Sequence, residues 1–236
     1  MMQGTMPILL IAVTAMLIQQ TITTVVKVGV PALFPAIADD LSFDAKYVLL
    51  YTWIIAVGSI GVQAGCGGVI RRFGALRTSQ IGCVFMAAGL VCAAVLASPL
   101  LYIPAIAAGA VFIAVGATVA TPASSHILAA YAPRKWAPLV FSIKQTGVPA
   151  GVAIAGLVLV PLAVAYGWRA TAIGLAVLTV VIGVLLQPLR AKFDIDRDPA
   201  ARPRLIDFVI NIRDVLGQFE RRAMAIAAFT FVGMQS

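Results

Sequence analysis

Two short stretches decide how this chain folds: FGALRTSQIG, Phe73–Gly82, and YGWRATAIG, Tyr166–Gly174. Each runs aromatic, Gly, then Arg, then Ile-Gly, and they begin 93 residues apart. Each joins two apolar runs, and the glycine marks the turn between them. Working outward, apolar runs bounded by charge or turn residues lie at roughly 7–37, 46–69, 78–98, 101–131, 137–165 and 169–189, each long enough to cross a hydrocarbon core of about 30 Å. The first and fourth runs begin about as far apart as the two turns. Helices one to three and four to six therefore read as two copies of one unit. Three helices per copy reverse the chain direction, so the second copy is inverted in the membrane. Transporters are commonly built from inverted repeats, with the substrate site near the midplane at the repeat interface.

Composition agrees. Of 236 residues, 61% are apolar and 11% charged, against roughly 45–50% and 25% in a soluble domain, and the mean hydropathy is +1.02. At about 20 residues per span the chain has no room for a sizeable soluble domain. A soluble enzyme, a nucleic-acid module and a secreted disulfide scaffold are excluded. Cys66, Cys83 and Cys92 lie in apolar stretches without CxxC spacing, so no disulfide framework and no metal site is implied. No basic residue precedes the first apolar run, which outlasts a signal peptide and is expected to remain as the first span.

The net charge of +8 is a matter of orientation rather than of a nucleic-acid partner. Counted loop by loop, Arg71, Arg72, Arg77, Arg134, Lys135, Arg190, Lys192, Arg197, Arg202, Arg204, Arg213, Arg221 and Arg222 fall on one side, and only Lys46 and Arg169 on the other. Basic loops stay cytoplasmic, so a multi-pass protein of a bacterial cytoplasmic (inner) membrane is expected, with a cytoplasmic N-terminus. Residues 1–190 form the six-helix domain. Residues 191–222 form a cytoplasmic linker, polar through FDIDRDPAARPR, with an amphipathic helix from Leu205 to Phe219 lying on the membrane surface; a partly ordered linker is the alternative. Residues 223–236 begin a seventh span but rise only about 21 Å, too short to finish it.

The turn between the second and third helices, GGVIRRFGALR from Gly67 to Arg77, resembles the hallmark of the major facilitator superfamily, Gly-x-x-x-Asp-Arg-x-Gly followed by basic residues. Gly67, Arg72, Gly74 and Arg77 fit; the acidic position is Arg71, a departure. The family's carboxylate holds the cytoplasmic gate through charge contacts, so that part of the resemblance does not carry over. FSIKQTGVPAG, Phe141–Gly151, followed by AYGWR, is similar to the fifth helix of bacterial members. The resemblance covers the whole chain as an N-terminal six-helix half, a central loop and the start of helix seven. It implies an all-α secondary transporter of a small solute working by alternating access, with no cofactor and no enzymatic step. Its partners would be the bilayer, a small-molecule substrate and a second six-helix unit, either a C-terminal half or another copy.

Lys27 lies about ten residues before Asp39, hence near mid-membrane, and shares a helix face with Gln20 and Thr24 at i, i+4 and i+7. The resemblance places that helix on the central cavity. Such a charge meets a partner, water or an anion, or its stem snorkels to the interface. All nine carboxylates lie in loops or the linker, so either a missing half supplies an acid or the substrate is itself an organic anion. His126 lies late in helix four and either titrates in the cycle or is a hydrogen-bonded interfacial residue. In helix five, Lys144 is expected to snorkel towards lipid and Gln145 to face the cavity. Gly58, Gly61 and Gly65 in helix two, and Gly147 and Gly151 in helix five, have the small-xxx-small spacing of close helix packing. They pack either within the half or, as the resemblance implies for helices two and five, against the other half. Two rivals remain. One is a truncated chain without transport of its own. The other is an intramembrane hydrolase, for which Ser125 and His126 are neighbours on one helix with no GxSG motif.

Overall fold

The computed structural model describes residues 5–98, 100–201, 217–219, 221–224 and 226–227. Among these the chain is helical, with no strand. The long helices are α1 (Thr5–Leu41), α2 (Val48–Phe73), α3 (Ala75–Leu96), α4 (Tyr102–Tyr131), α5 (Ala137–Tyr166) and α6 (Trp168–Leu185). A 3₁₀ turn, Gln187–Leu189, carries α6 into a short α7 (Arg190–Phe193). Among the described residues, six helices are long and apolar enough to cross a membrane. The helix expected from Leu205 and the seventh span expected after Arg222 fall mostly outside the described residues.

The two motif turns have nearly the same backbone. Gly74 has φ 92° and ψ 155°, Gly167 φ 84° and ψ 151°, a region open in practice only to glycine. Each closes one helix, its N–H bonding to Ile70 O or Ala163 O. Each then opens the next, its carbonyl accepting from both the N–H and the hydroxyl of Thr78 or Thr171. One glycine thus serves as the end of one span and the start of the next, which is why the chain reverses direction without a loop.

Helix α5 is a broken rod. It is α-helical over Ala137–Gln145 and Gly147–Ile154, passes through a π-helical turn at Ala155–Leu159, and ends as Val160–Tyr166. Pro149 and Pro161 lack the N–H that would bond the carbonyls four residues before them, and such losses are the usual source of kinks.

Packing is uneven. Helices α3 and α4 approach most closely: a Cβ at Gly82 would lie 2.7 Å from Gly116 O, and one at Gly89 would lie 2.6 Å from Gly109 O. Helix α1 lies between α4 and α5, α2 leans on α4, and α6 backs α3. The apolar core forms two clusters. One runs from Ile22 to Leu41 of α1 and takes in Leu90, Ile113 and Leu175; the other takes in Met16, Leu76, Ile127 and Leu128. Between them lies a belt of buried polar groups, including Gln19, Gln20, Thr23, Gln80, Lys144 and Thr179. In lipid such groups must find partners within the protein. Gln19 Nε2 accordingly lies 3.4 Å from Cys83 Sγ and Gln80 Nε2 donates to Gly183 O at 3.0 Å.

Candidate functional site

The polar belt begins on α1. Thr24 donates its hydroxyl to Gln20 O at 3.0 Å and is buried, as is Gln20. Both lie under α5. A Cβ at Gly147 would sit 3.1 Å from Gln20 Cβ, and one at Gly151 would sit 2.6 Å from Thr24 Cβ, so only glycine lets α5 lie this close to α1. Lys27, one turn further on, is exposed. Pro31 cannot donate to the Lys27 carbonyl. The face expected to carry three groups therefore splits, with Gln20 and Thr24 covered by α5 and Lys27 open.

Lys144 overturns the snorkelling expectation. It is 2% exposed, and its ammonium donates to Ser125 Oγ at 2.8 Å and to Thr121 O at 3.2 Å on α4. The cause is its place on the one buried seam of α5: Val140, Lys144, Gly147, Gly151, Ala155, Leu159 and Ala163. Depth along the helix suggested an escape to lipid, but the seam turns the stem into the protein. Gln145, next to it, is exposed.

His126 sits apart from these residues. Its Nε2 lies 3.4 Å from Asp196 Oδ2, and its side chain is 43% exposed. Ser125 and His126 form no nucleophile–base pair: Ser125 donates to Thr121 O and receives Lys144.

At the end of the bundle where the arginines gather, the turn glycine Gly74 meets a residue the sequence reading passed over. Asp194, after α7, is buried and accepts from Leu76 N–H at 2.7 Å and Arg77 N–H at 3.0 Å. A carboxylate at a helix N-terminus satisfies donors that lack helical partners and faces the positive end of the helix dipole. A Cβ at Gly74 would collide with it. The acid absent from position 71 is thus not replaced there, but one arrives from 118 residues downstream of Leu76. The chain then runs on to Asp198, whose N–H donates to Arg71 O at 2.8 Å, while Tyr131 on α4 donates its hydroxyl to Lys192 O. Segment 190–198 thereby ties the ends of α2, α3, α4 and α6. Arg71, Arg72 and Arg77 are exposed, with Arg72 over the Phe73 ring, and a Cβ at Gly67 would meet nothing within 4 Å.

At the opposite end Asp40 pairs with Arg169 and accepts from Trp168 Nε1 at 3.0 Å, and Arg169 also donates to Ala97 O. The glycines of α2 divide: a Cβ at Gly58 would lie 3.1 Å from Ala114 Cβ, whereas Gly61 and Gly65 face nothing within 4 Å. Two grooves flank the half. One of about 670 Å³ lies between α1, α5 and α6 and includes Ile154, Val158, Leu162, Thr171 and Leu178. The other, of about 290 Å³, lies between α2, α3 and α4 and includes Gly61, Gly65, Val69, Thr78 and Phe85. Among the described residues no group of three or more His, Cys, Asp or Glu could hold a metal ion.

A comparison with curated proteins finds no match. The family model described as Major Facilitator Superfamily matches residues 8–236. With six apolar helices and two Gly-Thr turns joining α2 to α3 and α5 to α6, the chain belongs to the major facilitator superfamily.

Proposed function

We propose that this multi-pass membrane chain acts as a six-helix half of an alternating-access transporter for a small organic anion, with the arginine-rich end and the N-terminus on the cytoplasmic side of a bacterial inner membrane. Membership of a transporter family supports the coarse reading. The observation that carries the anion is the distribution of charge: among the described residues, the charged groups well inside the spans are Lys27 and Lys144, and the acids lie near the helix ends or beyond them. Uncompensated cations at membrane depth are stabilised by a bound anion.

The 3+3 repeat is supported by the two glycine turns and by the two flanking grooves. Adding 93 to Gly61, Gly65, Val69, Thr78 and Phe85 of one groove yields Ile154, Val158, Leu162, Thr171 and Leu178 of the other. A second six-helix unit is supported by the flanks: the most apolar window of α4 is 61% buried, those of α2 and α5 only 11% and 22%. Gly61 and Gly65 lie on such an open face.

The test is flux of radiolabelled small carboxylates into liposomes holding the chain at known oligomeric state. Saturable flux that is lost in Lys27→Ala and partly kept in Lys27→Arg is expected, since arginine keeps the charge with altered geometry. Undiminished flux in Lys27→Ala removes Lys27 from the pathway. Flux from a verified monomer removes the second unit, and absence of flux in every oligomeric form removes the transport reading.

A further inference from the structure

A lysine held inside a membrane-spanning bundle by neutral groups alone is half of a site. Lys144 has three N–H donors and two acceptors among the described residues, Ser125 Oγ and Thr121 O. Thr121 O is also shared with the hydroxyls of Ser124 and Ser125, so three donors draw on one carbonyl. No carboxylate of the described residues lies within ion-pair distance of it. Removing an ammonium from water without an opposite charge is strongly unfavourable.

The backbone around the lysine is irregular on α5 and continuous on α4. Helix α5 has a turn at Thr146, two residues after Lys144 and three before Pro149, whereas α4 runs unbroken through Pro122, which withholds a backbone donor only from Thr118 O. Interrupted helices inside a bundle are where membrane transporters expose polar backbone to small ions. Ser125 is of intermediate exposure and Lys144 is buried, so the pair is closed at its lysine and partly open at its serine.

We propose that Lys144 and Ser125 form a binding site for a monovalent anion, the anionic group of the solute, at the crossing of α4 and α5; the proposal rests on the transport reading above. The ammonium supplies the one positive charge, and Ser125, whose hydroxyl donates to Thr121 O in this structure, supplies a donor by turning from that carbonyl to the anion. A single negative charge balances the site, whereas a divalent anion leaves one charge unpaired in low dielectric.

The test is a thermal-stability titration of the purified full chain in detergent with sodium acetate, sodium chloride and sodium sulfate, at an ionic strength held constant with the bulky anion of MES. Acetate or chloride is expected to raise Tm saturably and sulfate to do so less well. Lys144→Ala should weaken the apparent affinity by about tenfold or more, the loss of a charge-assisted contact, and Lys144→Arg should keep part of it. Lys135→Ala, which removes an exposed cation at the arginine-rich end, should change nothing. Should Lys144→Ala not fold, Ser125→Ala carries the test with an expected loss of several-fold. Equal stabilisation of Lys144→Ala or Ser125→Ala and wild type, preference for sulfate, or no saturable effect in wild type would overturn the site. Saturable binding that needs Lys144 but accompanies no flux rejects the transport reading alone. Flux undiminished in Lys144→Ala rejects this site alone.

Discussion

The turns at Gly74 and Gly167 share a backbone and differ in what surrounds them. Both have positive φ, both cap the preceding helix, and both receive a threonine hydroxyl four residues on. At Gly74 the carboxylate of Asp194 fills the space a side chain would need, while at Gly167 a Cβ would meet nothing within 4 Å. The local sequence is therefore enough to set the turn, and what locks it comes from elsewhere in the chain. The Gly74 end is held by a buried acid bonded to backbone. The Gly167 end is held by a half-exposed pair, Asp40 with Arg169.

The largest test of this difference is a matched pair of substitutions. Gly167→Ala meets only backbone strain, about 1–3 kcal/mol. Gly74→Ala adds a collision with Asp194, and overpacking of this kind costs a further 1–3 kcal/mol or so, giving about 2–6 kcal/mol in total. Unfolding by SDS in mixed micelles should rank Gly74→Ala as the less stable. Equal losses would mean that Asp194 moves aside freely and locks nothing.

The two acids should differ in the same direction. Asp194→Asn replaces a buried carboxylate that accepts from two backbone N–H groups, an interaction worth about 1.5–3 kcal/mol. Asp40→Asn weakens a pair whose side chains are 41% and 44% exposed, which after solvent screening is worth about 1 kcal/mol or less. The same unfolding measurement checks both. A larger loss for Asp40→Asn would reverse the assignment of the firm and loose ends.

Most of the fold was legible because periodicity is unnecessary when whole spans are apolar: the runs at 46–69 and 101–131 anticipated α2 and α4 to within a few residues. Gly74 and Gly167 were legible as turns because an aromatic-glycine step between apolar runs has few other uses. Lys144 departs from the snorkelling expectation because depth along a helix says nothing about azimuth. The signal lay in the seam of small and apolar residues at three- and four-residue spacing that runs from Val140 through Gly151 to Ala163. Asp194 was read as linker because its partners are 117 and 118 residues away, and no local pattern announces a cap supplied at that distance. The close approach of α3 and α4 at Gly82, Gly89, Gly109 and Gly116 has no such local signal either. These glycines are seven apart on each helix, outside the small-xxx-small spacing.

The smallest effect tests the likeness of the two turns rather than their difference. Thr78 and Thr171 are both buried, and their hydroxyls donate to the carbonyls of Gly74 and Gly167 at 2.7 and 2.9 Å. Thr→Val keeps the β-branched shape and removes only this bond, so Thr78→Val and Thr171→Val isolate the interaction the turns have in common. Side-chain hydrogen bonds in membrane proteins are worth about 0.6 kcal/mol on average, because the unfolded chain in the membrane also finds partners, and here each glycine carbonyl keeps its backbone N–H partner when the hydroxyl is lost. The two variants should therefore lose about the same small amount, within the 0.3–0.5 kcal/mol or so to which independent sites are additive, and the double variant should lose their sum. The turns lie at opposite ends of the bundle with no shared partner, so a coupling between them has no local route. A sum well exceeded would show that both ends loosen together, as one rigid unit that rocks as a whole. A Thr78→Val loss much larger than that of Thr171→Val would show that Asp194 has made the hydroxyl at its own turn indispensable, and that the shared backbone hides two different devices.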